Sequence, residues 1–318
     1  MPCSHRNSGC SYREQCGPQA DGQLVLDYLS RQYPHSTRTE WEDNIAAGRV
    51  LLNDRPAAAD ETLRSGSWLI WQRPPWIEPP APRCWQLLYE DTELLAVAKP
   101  SGLPTLPGAG FHESTLLHLV QQYAPDAMPL HRLGRWTSGL VLCAKTTAAR
   151  RVLLQQWSER SVYKRYRALI SGNPAWNESE VTTPIGPVPH PLLGTVYAAS
   201  ATGKQSRSLA TVLERRGDTC LCDLVISTGR PHQIRIHLAS VGHPLAGDPL
   251  YGSDGLPLPD NISLPGDPGY QLHAAELRVR HPVGGAELRL CCPPPLLLCT
   301  ASETAGLQET VALSSECS

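Results

Sequence analysis

No apolar run in this 318-residue chain is long enough to cross a bilayer: the longest, such as LLAVA and LVLCA, stop at five residues. The polar N-terminus has no signal-peptide core. Together these absences exclude a helical membrane protein and predict a soluble, intracellular, cytoplasmic one. A disulfide framework is missing too, since the 11 cysteines are odd in number. Cys3, Cys10 and Cys16, with His5 nearby, lack the Cys-x-x-Cys pairs of zinc sites, so the N-terminus reads as a reduced, disordered tail and no metal is expected. Cys143, Cys220 and Cys222 lie in apolar strand patterns, where a thiol is a small hydrophobe. There is no overall positive charge; the formal net charge is −2. One further absence is local. The polar stretch HRLGRWTSGL, His131 to Leu140, contains no carboxylate, and position 134 is glycine.

What is present is an ordinary globular composition, 41% hydrophobic and 18% charged, with 30 prolines that favour turns over long helices. Charge is unevenly placed. Between His131 and Arg167 nine Lys or Arg face one acid, Glu159, a local excess that fits a phosphate-binding footprint as well as a solvated face.

The periodicities divide the chain. Residues 1–18 read as a disordered tail and 19–73 as a small module. That module has helices at LVLDYLS and TEWEDNIAAG, then short strands through an Asn-Asp and a Ser-Gly turn. Residues 74–83 read as a proline-rich linker, 84–295 as the main domain and 296–318 as a weakly structured tail. In the main domain STLLHLVQQYA and TTAARRVLLQQWSER have helical periods, with Ser114 as a candidate cap. VYKRYRALI alternates, with Val162, Lys164, Tyr166, Ala168 and Ile170 on one face. RSLATVLE/TCLCDLVI and the halves of ELRVRHPVGGAELRL form hairpins. Strands outnumber helices and come mainly as hairpins, so the expected class is α+β with a mixed, largely antiparallel sheet and flanking helices.

Three segments carry possible chemistry. The 131–139 loop runs into a strand, as binding loops do. Tyr166 is either a core residue or a ring that stacks on a base or relays a proton, and Lys164 either snorkels or binds. In VISTGRPHQIRIHLASVGHP a helix opens near Pro231, crowding Arg230, His232, Gln233 and Arg235 into its first turn and predicting an anion site.

Taken in order, these segments resemble the RluA-type pseudouridine synthases. Matches include AVAKPSGLPTLPG (Lys99, Pro100, Gly102), HRLGRWTSG, Lys164 and Tyr166, GKQSRS, TGRPHQIRIHLASVGHPLAGDPLYG and LHAAELRVRHP, covering about residues 84 to 292. The module with AAGRVLLNDRPAAADETLRSGSWLI resembles the small S4-type RNA-binding module. The resemblance implies a pseudouridine synthase-like fold with an S4-like module, no cofactor and no metal. It implies a monomer acting on structured rRNA or tRNA that contains the target uridine. It also implies roles: Tyr166 stacks on the base, Arg230 or Arg235 pairs with an essential carboxylate, and Arg132 holds the flipped nucleotide out of its helix. Arg135, Thr137, Ser138, Lys164, His232 and Gln233 are the accompanying RNA-binding positions, and all are expected at one concave site.

The carboxylate is the exception. The family's HRLD reads HRLG here, and Gly134 can neither attack a ribose nor accept a proton. Asp126 lies eight residues before Gly134, and Asp248 lies in the family's GDPLYG structural turn, so neither is an obvious replacement. Two readings follow. One is a synthase that takes its reactive group from elsewhere; the other is a non-catalytic RNA-binding protein, a folding or ribosome assembly aid, on the same fold.

Overall fold

The computed structural model describes residues 3–259 and 262–306. The chain divides into two compact units, residues 4–79 and, apart from the first three residues, 80–318. Each is described by itself.

In the smaller unit the helices Val25–Gln32 and Arg38–Ala46 pack their apolar stripes on a four-stranded sheet. Val25, Leu29, Trp41, Val50, Leu63 and Leu69 form its core. Thr37 starts the second helix with a reciprocal capping box to Glu40. Asn53 and Asp54 both take left-handed angles, which turns Val50–Leu52 back into Arg55–Pro56. The expected disordered tail is corrected here. Cys10–Gln15 is a strand paired antiparallel with Trp68–Arg73, and Cys16 is buried in the core. CSYREQ has no apolar period because it is an edge strand held by backbone hydrogen bonds, and such a strand leaves little trace in sequence. The proline-rich segment is not a free linker either. Ile77–Ala81 is a strand, and buried Glu78 accepts a 2.9 Å hydrogen bond from Asn7 Nδ2.

The larger unit is built on a ten-stranded sheet. Along its main path the order is Glu178–Val181, Ser208–Arg216, Thr219–Ile226, Tyr163–Ser171, Leu272–Arg280, Ser138–Ala144, Leu94–Lys99 and Gln86–Glu90. Pairings are antiparallel except one: Ser138–Ala144 runs parallel to Leu272–Arg280 at Ser138↔His273 and Gly139↔Ala274. Gly139 permits that junction. Its φ is +111°, and a Cβ there would stand 2.3 Å from the Ala274 carbonyl oxygen.

Three helices, Leu116–Tyr123, Thr147–Ser158 and Gln233–Ser240, flank the sheet. The first is capped by Thr115, whose hydroxyl accepts from His118 N–H; the expected cap, Ser114, is one residue too early. The third is buried on every side from Gln233 to Ala239. The C-terminal segment is tied down as far as it is described. Leu298 packs on Leu169 and Leu221, and Arg167 donates to Leu298 O and to Glu303 at 2.9 Å each. Three leucines in a row after prolines show no helical or strand period, so this anchoring was not visible in sequence. Residues 307–318 of the expected tail lie outside the described residues. No helix among the described residues is long and apolar enough to cross a membrane.

Candidate active site

The 131–139 loop ends the strand Met128–Pro129 and leads into Ser138–Ala144. Lys99 secures it from below. Its buried Nζ donates to the carbonyls of Pro100 (2.9 Å), Leu103 (2.7 Å) and Arg135 (3.1 Å), and burial lowers its pKa to about 7. Arg135 closes the loop from above. It donates to Gly102 O at 3.1 Å and Pro80 O at 2.9 Å, and it lies over the rings of Phe111 and Trp136. Arg135 is thus a clamp whose guanidinium is already engaged, rather than an RNA contact.

Gly134 is exposed, and its backbone lies outside the left-handed region, so any residue could take it. A Cβ there would stand 3.0 Å from the Tyr270 hydroxyl oxygen and 3.4 Å from Thr137 Oγ1. Those two hydroxyls are 3.5 Å apart, at the limit of a hydrogen bond. Thr137 and Tyr270 are each only 4% exposed. The notch beside Gly134 is therefore walled by two sparingly bonded hydroxyls.

Tyr270 connects the notch to the helix Gln233–Ser240. The Arg235 guanidinium carbon lies 4.3 Å from the Tyr270 ring centroid and 4.9 Å from that of Tyr251. Arg235 is not left unpaired by the glycine. Asp248 holds it in a fork, Nε to Oδ2 and Nη2 to Oδ1 at 2.7 Å each, with both side chains almost wholly buried. Asp248 also accepts from the N–H groups of Leu250 and Tyr251, which leaves it no spare capacity for chemistry. Burial would lower the Arg235 pKa, yet the Asp248 contacts raise it. Of the four polar residues expected at an anion site here, two are held by partners inside the protein. Arg235 points inward, and so does Gln233, which is bonded to Thr228, Arg207 O, Ser208 and the Arg230 N–H. A helix enclosed on all sides needs internal partners for its polar side chains, and these are they.

His232 stands just before the helix in a left-handed conformation, its Nδ1 2.7 Å from Tyr251 Oη. Burial, then the charges of Arg235 and Arg132, lower its pKa to about 3, so it is neutral. Arg132 is exposed, and its charge is the smallest of those that act on His232. Arg230 is half-buried and donates twice to Gln205 O at 3.3 Å, remaining at the rim.

Tyr166 packs against both clusters that meet at the loop, one holding Leu133 and Ala274, the other Ile234, Trp136 and Tyr270. Burial pushes its pKa up to about 12, so its hydroxyl is a donor at neutral pH and not a base. The expected single face from Val162 to Ile170 is broken. Register against Leu272–Arg280 shifts between Arg165 and Tyr166, and Val162 packs in a different cluster, with Leu140, Leu142 and Leu277. Lys164 lies near His131, whose pKa falls to about 4 through burial and then the lysine's charge.

Ser138 is directed elsewhere. Its Oγ is 2.9 Å from His273 Nδ1, and with His273 it lines a cavity of about 540 Å³ bounded by Trp85, Lys99 and Pro293–Pro295. Strand alternation carries it away from Thr137, its neighbour in the loop.

Gly134 and Thr137 thus meet Tyr270, Tyr166 packs on the cluster that holds Tyr270, and Arg235 links Tyr270 to Tyr251 and so to His232. Sequence reasoning missed Tyr270, which lies two residues before the closing strand Leu272–Arg280. Its only signal was an aromatic placed next to a recognisable strand.

A family model described as RNA pseudouridylate synthase matches residues 93–240. An uncharacterized RNA pseudouridine synthase of Synechocystis is 39% identical over 287 residues, covering 89% of this chain and 99% of the relative. The chain belongs to the RNA pseudouridine synthase family. It is an isomerase by that membership. Ribosomal large subunit pseudouridine synthase D of Neisseria meningitidis serogroup B is 33% identical, over 87% of this chain and 76% of the relative. Among solved structures, human RNA pseudouridylate synthase domain containing 1 superimposes with a TM-score of 0.53 at 25% identity, over 69% of this chain and 86% of that one. In this synthase Gly134 opens on the hydroxyls of Thr137 and Tyr270.

Proposed function

We propose that the protein isomerises a uridine to pseudouridine within structured ribosomal or transfer RNA, without metal or cofactor. The observation that carries this reading is the packing of the half-buried Tyr166 ring against the clusters of Leu133 and Tyr270, beside the loop that bears exposed Arg132 and Gly134. A nucleotide turned out of its helix would place its base on Tyr166 and its phosphate near Arg132 and Arg230. The side chains of Lys164, Arg150, Arg151 and Arg160 make no hydrogen bond or ion pair among the described residues, and the last three residues are exposed, free to meet neighbouring phosphates. The 4–79 unit serves as an S4-like adjunct. Arg13 lies 4.3 Å from the Trp68 ring centroid and Arg73 3.6 Å from that of Trp76, a pairing suited to stacking on single-stranded bases.

Tritium release tests the reading. Total RNA labelled at uridine C5, taken from cells lacking this protein, should lose tritium to water when the purified chain is added. The glycine at 134 favours a second reading, a non-catalytic RNA binder. Retained RNA binding with no release from any labelled RNA would establish that one instead.

A further inference from the structure

We propose that the Tyr270 hydroxyl is the acid–base group of this synthase, acting at the ribose from the place the HRLD motif gives to a carboxylate. The inference rests on the pseudouridine synthase reading above.

Three observations support it. First, the Tyr270 oxygen is the nearest atom to a Cβ built on Gly134, at 3.0 Å, so it stands where a carboxylate side chain would begin. Second, that oxygen is poorly satisfied. Its one hydrogen bond is to Thr137 Oγ1 at 3.5 Å, although Tyr270 is 4% exposed, and a polar group so placed is normally better bonded. Third, the Arg235 guanidinium lies over its ring at 4.3 Å and is itself held by the Asp248 fork, which fixes the phenol beside Gly134. Asp248 is committed to the Arg235 fork and to the Leu250 and Tyr251 N–H groups, so it does not compete for the role.

The step balances with one such group. The Tyr270 oxygen takes the proton from ribose C2′ while lending its own to water until the turnover ends. The electrons of that bond form a C1′–C2′ double bond, and the C1′–N1 pair leaves with the uracil. The base turns on Tyr166 and its C5 joins C1′, while C2′ takes the proton back from Tyr270. The C5 proton passes to water and N1 takes one from water. Tyr270 ends as it began. Thr137, 3.5 Å away, orients the phenol.

The test uses the full chain and C5-tritiated RNA from cells lacking the protein, with RNA binding and thermal unfolding measured alongside. Tyr270→Phe keeps the ring over Arg235 and removes only one long hydrogen bond, so folding should be preserved. Release should fall about 100-fold or more, the usual worth of a positioned acid–base group, with RNA affinity within about twofold. Gly134→Asp in the Tyr270→Phe background should restore release by about tenfold or more. Its new Cβ no longer meets the Tyr270 hydroxyl, and a purely structural tyrosine would not be replaced by a carboxylate on the loop. A Tyr270→Phe enzyme within about threefold of wild type overturns the inference and leaves the family reading standing. So does a loss that Gly134→Asp fails to recover. A wild type silent on every RNA overturns the family reading itself, and this inference with it.

Discussion

Arg235 lies between two aromatic rings, 2% exposed, with Asp248 as its counter-ion, and Arg230 lies at the rim five residues earlier. The two arginines look alike in TGRPHQIR, yet their substitutions should differ sharply. Arg235→Ala leaves a buried Asp248 carboxylate unpaired and should cost about 3–5 kcal/mol of stability, read by urea unfolding. Arg230→Ala should change stability by no more than about 0.5 kcal/mol and act on RNA affinity instead. Glu276 gives a pH signature. Burial would raise its pKa, but hydrogen bonds from Arg289, Arg278 and Arg165 outweigh this and hold it at about 2. A carboxylate depressed in the folded state stabilises above its unfolded pKa, roughly 4.3 for glutamate, and loses that contribution as pH falls through the folded value. Wild-type stability should therefore decline between about pH 4.3 and 2. Glu276→Gln should flatten that decline in denaturation curves taken across the window.

Among the elements, the parallel junction between Ser138–Ala144 and Leu272–Arg280 decides where the site lies. It joins the strand that follows the loop to the strand that follows Tyr270, and so brings Gly134, Thr137 and Tyr270 together. Gly139→Ala should damage it twice, through a φ of +111° and through the clash with the Ala274 carbonyl. Backbone strain alone is worth about 1–3 kcal/mol. Tritium release should fall more than RNA binding does, because the notch geometry is lost before the basic surface. Equal stability of wild type and Gly139→Ala in urea would show that the junction tolerates a Cβ and is less tight than described.

Across the larger unit, folding engages four of the nine basic residues of 131–167 and leaves five. Arg165 pairs with Asp223 and Glu276, Arg167 with Asp223 and Glu303, and Lys145 with Glu90. Arg135 is spent on carbonyls. Arg132, Arg150, Arg151, Arg160 and Lys164 remain as the basic groups without an ion pair among the described residues. Replacing Arg150, Arg151 and Arg160 by Ala should weaken RNA binding across sequences and lower the salt slope by roughly 0.7–0.9 for each phosphate no longer neutralised. Arg165→Ala should leave that slope unchanged. The same reasoning assigns most RNA affinity to residues 80–318, with 4–79 adding a modest increment.

By itself the sequence determined the class of fold, the hairpins and the family. Turn glycines, alternating strands and fixed motifs are local, and each is written within a dozen residues. It also determined that position 134 has no side chain. Only the tertiary structure decided which polar residues face a substrate. Arg235, Gln233, Arg135 and Ser138 sit in motifs that look like binding segments, yet each is turned to a partner: Asp248, Ser208, Gly102 and His273. A register shift after Arg165, invisible in an alternating pattern, sends Val162 and Tyr166 to different clusters. Tyr270 reaches Gly134 from 136 residues away. Packing across such distances is set by the whole sheet at once, and no local period carries it.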